Sequence, residues 1–475
     1  MPLLGATGGG SAKGFGALAN LGYFIRNSLR LRFNSTSGST SYLSRTNSSS
    51  PTNNKIGTLS FWLKRGIIGS QTGNGQYLIE TGTGTSDNTH FSLVLGTTDV
   101  FSISQYTVEP LLTTRVFRDP AAWYHIVFVF DSTQGTAADR YKLYINGVLE
   151  TAVTRPGSCP LNSNWAILNS GQVINIGRHT LVGRGSDVYL AEWNLIDGQA
   201  LTPADFGKTD AATGQWIPKK YVGTYGTNGY YLKFSDIATT SGSNAGLGRD
   251  FSGNGNYWTT NNISVTSGTT YDAMIDSPTL SGAASNYCVL NRVAPFGSSL
   301  TLSEGNLKSA CAGAYWASLP GTFLIPSTGK WYWEVTPITA NFSTGNIAIG
   351  ITKHVASNYN TGQDQWPGFT ADSYGMTNDT GGTMYKWTSA TPTSYGSQYA
   401  VNDIIGVALN MDAGTLTYYK NGVSQGVAFS SLTGNFFPSL GVNNTGTTAV
   451  INFGQRPFSY TPPTDHKALN TFNLP

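Results

Sequence analysis

The segment DIIGVALNMDAGTLTYYKNGVSQGVAF, Asp403–Phe429, decides how the rest of the chain is read. Its apolar run from Ile404 to Leu409 has the length of one buried strand. Met411-Asp412-Ala413-Gly414 supplies a turn. Thr415–Lys420 then alternates Leu416 and Tyr418 with Thr417 and Tyr419, the period of a half-buried strand. Asn421-Gly422 is the dipeptide favoured by a type I′ hairpin, whose two central residues both need positive φ. Val423–Phe429 returns as a third strand. The segment predicts a three-stranded antiparallel meander around two tight turns.

The same signals recur outward from this meander. At 475 residues the chain exceeds one ordinary core, so two or three domains are expected. Lys and Arg number 28 against 25 Asp and Glu, and no basic stripe appears, which argues against nucleic acid as a partner. Glycine is abundant at 57, polar Ser, Thr and Asn separate short apolar runs, and helical periodicity is nearly absent. These features predict an all-β protein. No apolar run approaches a membrane span. Cys159, Cys288 and Cys311 are odd in number and lack metal spacing, so they read as free thiols.

In chain order, residues 1–27 are glycine-rich and coreless, and read as an anchor whose docking residues are Leu3, Leu4, Phe15, Leu18 and Leu21. The segment lacks the n- and h-regions of a signal peptide. From Ser28 the strands LRLRF, TLSFWLKR, HFSLVLG and WYHIVFVFD (Trp123–Asp131) follow. KLYI then leads to Asn146-Gly147, a second predicted Asn-Gly hairpin. LSFWLKR, WYHIVFVFD, KLYINGV, INIGR and YLAEWNLIDGQALTPADF together resemble the laminin-G-like, concanavalin A-like lectin sandwich, over residues 28–222. Residues 223–285 read as strands completing that sandwich plus a linker, Asp272–Leu280. GKWYWEVT, NIAIGIT, the opening meander, FFPSLGV and AVINFGQRPF, in this order, resemble the SPRY (B30.2) domain, over residues 286–470. Residues 471–475 form a tail. The expected architecture is two tandem antiparallel β-sandwiches, a lectin-like jelly roll and then SPRY, behind a glycine-rich anchor.

The N-terminus resembles the glycine-rich N-termini of phage fibre-like proteins. With the missing export signal, that resemblance implies a bacteriophage tail fibre or tail appendage, assembled in the bacterial cytoplasm and located in the virion. Its expected partners are other virion proteins through the N-terminus, a host surface glycan and further copies of the chain. A head fibre or capsid decoration protein, a glycan-degrading enzyme and a secreted adhesin are the alternatives.

Glycoside hydrolysis needs two carboxylates about 5–9.5 Å apart. Glu192 and Asp197 have an odd spacing that places them on opposite faces of one strand, and Glu334 stands alone at what the resemblance implies is a SPRY core position. The sequence therefore predicts no enzyme. His125, inside WYHIVFVFD, reads as a satisfied core residue. Some laminin-G-like relatives hold calcium, for which Asp87, Asn88, Asp131 and Asp139 are candidates. Calcium needs six to eight oxygen ligands and these form no dense loop, so no metal or cofactor is expected. The SPRY resemblance implies ligand binding on loops at one rim. In HVASNYNTGQDQWPG and MYKWTSATPTSYGSQY, the rings of Tyr359, Trp366 and Trp387 could stack on a sugar while neighbouring amides serve its hydroxyls. Tyr385 and Tyr395 read as packing residues.

Overall fold

A computed structural model describes residues 22–33, 40–69, 74–82, 89–105, 108–180, 184–240, 242–293, 300–340, 347–353, 366–378 and 383–475. The anchor residues Leu3, Leu4, Phe15, Leu18 and Leu21, and the glycan candidate Tyr359, lie outside them. The fold is all-β: the described residues hold strands joined by turns and short 3-10 segments, and the chain divides into two compact units.

The first unit is a two-sheet sandwich. One sheet runs in the order Val148–Leu149, Tyr141–Ile145, Trp123–Asp131, Ile56–Arg65, Val188–Asp197, Ser28–Leu31, Ala273–Met274, with Tyr230–Leu232 added on Val188–Asp197. The facing sheet runs Val153–Thr154, Val108–Thr113, Phe101–Gln105, Phe91–Leu95, Gln76–Thr81, Val173–Ile176, Tyr42–Thr46, Thr259–Asn261. Alternation explains the core. Leu59, Phe61 and Leu63 meet Ile126 and Phe128 from the neighbouring strand and Phe91, Leu93 and Ile103 from the facing sheet, all fully buried. The Trp123–Asp131 strand pairs in unbroken register with Ile56–Arg65, from Lys64 opposite Trp123 to Ile56 opposite Asp131.

Thr58, Ser60, Trp62 and Lys64, the alternate residues, are buried as well. Trp62 packs with Ile25, Tyr23, Trp123 and Trp216 on that back face. The 272–280 segment, read from sequence as a linker, is tied down there. Asp272 accepts from the guanidinium groups of Arg30 (3.1 Å) and Arg32 (2.8 Å), and the Ser277 and Thr279 hydroxyls donate to the carbonyl of Ile25. A buried charge is tolerated only when paired and hydrogen-bonded, so these acids fix the strap in place.

The second unit, described from Ser285 onward, contains the opening meander. Ile405–Asn410, Thr415–Lys420 and Val423–Phe429 are consecutive strands, with Ile405 opposite Lys420 and Asn410 opposite Thr415. They form one side of the sheet ordered Leu300–Ser303, Lys308–Cys311, Thr448–Asn452, Lys330–Thr339 and then the meander. The second sheet is ordered Ala317–Pro320, Phe437–Val442, Ile347–Thr352, Ser373–Asn378, Met384–Thr388, Thr391–Ser394. Trp333, Val335, Ile349, Val407, Leu409, Tyr418 and Leu440 are fully buried in this unit.

Candidate functional site

The second sheet of the C-terminal unit carries an aromatic patch built by its glycines. A Cβ on Gly375 would sit 2.0 Å from the carbonyl oxygen of Pro367, and one on Gly441 would sit 3.2 Å from Trp366 Cβ and Pro367 Cδ. The absence of side chains at 375 and 441 lets Trp366-Pro367 lie directly on the strands. The following residues are then fixed by hydrogen bonds. Phe369 N–H donates to the Trp366 carbonyl (3.0 Å), and the N–H groups of Gly368 and Thr370 both donate to Ser373 Oγ, at 3.0 and 3.1 Å.

A strained turn abuts this loop. Met384–Thr388 and Thr391–Ser394 are joined through Ser389 (φ 52°) and Ala390 (φ 54°), both left-handed without being glycine. Such a conformation costs an L-residue roughly 1–2 kcal/mol. The loop supplies the compensation: Ser389 N–H donates to the Thr370 carbonyl (3.1 Å) and Ala390 N–H to the Gly368 carbonyl (3.0 Å). Backbone strain of this kind, held by surrounding structure, marks candidate functional positions.

The rings meet above these supports. Trp366 lies 5.3 Å from Trp316 in a tilted stack, 5.1 Å from Trp387 edge to face, and 6.2 Å from Phe369. Trp387 donates from Nε1 to Thr377 Oγ1 (2.9 Å). The three indoles are half-buried, while Phe369 is 36% and Tyr315 is 48% exposed. Among the described residues the patch is apolar, rigidly backed and open, bordered by the exposed polar residues Ser389, Thr391, Thr393 and Ser394. Those are the properties of a binding surface. Trp366 and Trp387 are brought together as neighbours. Trp316 and Phe369 join them, and no local pattern links position 316 to position 366. Phe369 was readable in hindsight from WPGF itself.

The acids and imidazoles of the chain are engaged elsewhere. Glu192 is buried at a bulge, where the register of its strand shifts between Ala191 and Asn194, and has φ 50°. Its carboxyl accepts from the hydroxyls of Tyr23 (2.5 Å) and Tyr231 (2.6 Å), and burial raises its pKa. Asp197 instead accepts from the backbone N–H groups of Thr52, Asn53 and Asn228. Among the described residues the two acids share no partner. Glu334 receives the N–H groups of Ser459 (2.9 Å) and Tyr460 (3.0 Å). His125 is buried between Ser60 Oγ, 3.0 Å from Nε2, and Trp216, whose Nε1–H donates to Nδ1 at 2.9 Å. That bond makes Nδ1 the acceptor, and burial lowers the imidazole pKa to about 3, so His125 is neutral.

Buried Glu80 meets half-buried His179, with Oε1 3.1 Å from Nε2 and the Thr180 N–H donating to Oε2 at 2.8 Å. Burial raises the carboxyl to about 8 and lowers the imidazole to about 4, which makes this a neutral hydrogen bond at pH 7. Of the calcium candidates, Asp87 and Asn88 lie outside the described residues. Asp131 accepts from Thr133 and Gln134, and Asp139 faces Lys142 at 3.7 Å. Among the described residues, no group of three or more His, Cys, Asp or Glu is placed to hold a metal ion.

Two family models match the chain. Residues 36–205 match the model described as the concanavalin A-like lectin/glucanases superfamily, and residues 330–456 match the SPRY domain. The chain therefore carries a concanavalin A-like domain followed by a SPRY domain. Ran-binding protein 9 of Xenopus laevis is 34% identical over 167 residues, 34% of this chain and 29% of that protein. The Ran-binding proteins 9/10 homolog of Drosophila melanogaster is 32% identical over 168 residues, 34% of this chain and 17% of its own length. Human Ran-binding protein 9 is 34% identical over 145 residues, 30% of this chain and 19% of that protein. The chain thus spans less than a third of each of these relatives. Solved structures of the SPRY domain of human HERC1 and of the TRIM65 PSpry domain match at 14% and 15% identity. They cover 34% and 35% of this chain and 96% and 91% of theirs, each with a TM-score of 0.28.

These relatives correct the expected function. They are Ran-binding proteins of animals, which overturns the assignment as a phage tail fibre or tail appendage, its head-fibre and glycan-degrading alternatives, and a virion location. The physical reason for the error is plain. Sandwich motifs specify a scaffold and not an organism, and a short glycine-rich terminus has too little pattern to specify either.

Proposed function

We propose that the chain is an interaction protein whose SPRY domain grips a short segment of a protein partner on the patch of Trp316, Trp366, Phe369 and Trp387. The observation that carries this reading is the support of Trp366. The Trp366-Pro367 step lies on Gly375 and Gly441, and its loop is bonded to the strained Ser389-Ala390 turn. Rings held open before binding lose little conformational freedom on contact, and buried aromatic anchors dominate protein interfaces. The relatives are named for binding Ran. That name belongs to them, and the reading for this chain rests on the patch.

Selection of random peptides by surface display against the full chain tests the proposal. Enriched peptides are expected to carry an apolar or aromatic anchor and to lose binding on Phe369→Ser, a change at a partly exposed ring that spares the supporting bonds. Enriched peptides indifferent to Phe369→Ser and Trp366→Ala alike would place binding elsewhere.

A further inference from the structure

The back face of the first sandwich holds an amine and a carboxyl group arranged for condensation. Lys64 Nζ lies 2.7 Å from Asp276 Oδ2, and both side chains are fully buried. Trp123 Nε1–H donates to the other carboxyl oxygen, Oδ1, at 3.1 Å. The Tyr189 ring lies 5.7 Å from Nζ and packs edge-on against Trp123. Water is thereby excluded and the carboxyl is polarised at one oxygen while the amine faces the other.

We propose that Lys64 and Asp276 are the two halves of an intramolecular amide cross-link, formed after folding. In the step, the Lys64 ammonium passes a proton to Asp276 Oδ2 across their contact, and the freed amine attacks Asp276 Cγ while Trp123 stabilises charge on Oδ1. The Nζ–Cγ bond forms and the Cγ–Oδ2 bond breaks. Oδ2 leaves with two of the three ammonium protons as water, and the third stays on the amide nitrogen. Ammonium and carboxylate become amide and water, so charge balances and no oxidant, reductant or activated co-substrate is consumed. The neighbouring Arg30–Asp272–Arg32 group provides the contrast. Its Arg30 and Asp272 side chains are as well buried, but guanidinium stays protonated and is no nucleophile, so it persists as an ion pair. The cross-link would fasten the 272–280 strap to the central Ile56–Arg65 strand and close a long loop, which restricts the unfolded chain in the manner of a disulfide.

Denaturing mass spectrometry of the full chain, expressed and kept folded, tests the proposal. The native chain is expected to be lighter by one water than its sequence requires, relative to Lys64→Arg, which keeps an ion pair to Asp276 but cannot condense. Proteolysis should release the Lys64 and Asp276 peptides joined. A native chain at full sequence mass, or an equal water deficit in Lys64→Arg, would overturn the cross-link.

Discussion

Trp366 is supported from below and open above, so its loss divides between packing and recognition. The same economy appears at Glu80, where position decides protonation. Its carboxyl, at an ordinary 4.5 in the unfolded chain, is raised to about 8 by burial in the fold. Between these values the native chain holds a proton that the unfolded chain has released. The stability this provides is therefore full below about pH 4.5 and lost as pH rises through about 8. His179, lowered from 6.5 to about 4, acts in the opposite sense and costs stability as pH falls through that interval. Glu80→Gln keeps an acceptor for the Thr180 N–H and cannot ionise. It is expected to flatten the decline in melting temperature between about pH 5 and 8, leaving the acid limb. A decline as steep as the native one would show that Glu80 does not titrate there. None of this was legible in sequence, because His179 lies far along the chain from Glu80 and neither sits in a motif. His125 was legible, since an imidazole within WYHIVFVFD has both neighbours apolar and must find its partners inside.

Hairpins show where local chemistry suffices. Asn421 and Gly422 have φ of 50° and 80°, the Asn421 N–H donates to the Ile404 carbonyl, and the Ile404 N–H donates to Asn421 Oδ1. Asn146-Gly147 repeats the arrangement against His125, with φ of 50° and 83°. Each glycine lies under a ring, Tyr460 in one case and Trp216 in the other. A Cβ on Gly422 would approach Tyr460 Cδ1 to 2.6 Å. Gly422→Ala should therefore lose about 1–2 kcal/mol from φ alone, with the ring contact adding to it. The Ser389-Ala390 turn reverses the sign. Ala390→Gly relieves about 1–2 kcal/mol of left-handed strain against about 0.5–1 kcal/mol of added unfolded-state entropy, so stability should rise slightly. Chemical denaturation of both variants checks the pair, and a stabilised Gly422→Ala or a destabilised Ala390→Gly would contradict it. The first two turns were written in Asn-Gly. The third was not, since nothing in Thr-Ser-Ala-Thr marks positive φ, and its cost is met by the carbonyls of Gly368 and Thr370. The bulge at Glu192 was hidden for the same reason.

Across the whole molecule, alternation and turn chemistry were enough to reveal two sandwiches, because each strand carries its own pattern. The strap at 272–280 was read as a linker because its polar residues look solvated. Its acids are buried against Arg30, Arg32 and Lys64, partners some two hundred residues away in sequence, and that pairing has no local signature. Function was the least legible level. A scaffold shared by lectins and interaction modules does not choose its ligand, and the rings that form the patch come from three separate stretches. Recognition of a protein segment by those rings is most directly tested by the affinity of a display-selected peptide for the full chain and for Trp366→Ala, with unfolding followed on the same samples. The account predicts that affinity falls at least about tenfold, equivalent to roughly 1.4 kcal/mol, while the variant remains folded at the assay temperature. Undiminished affinity in the folded variant would contradict it.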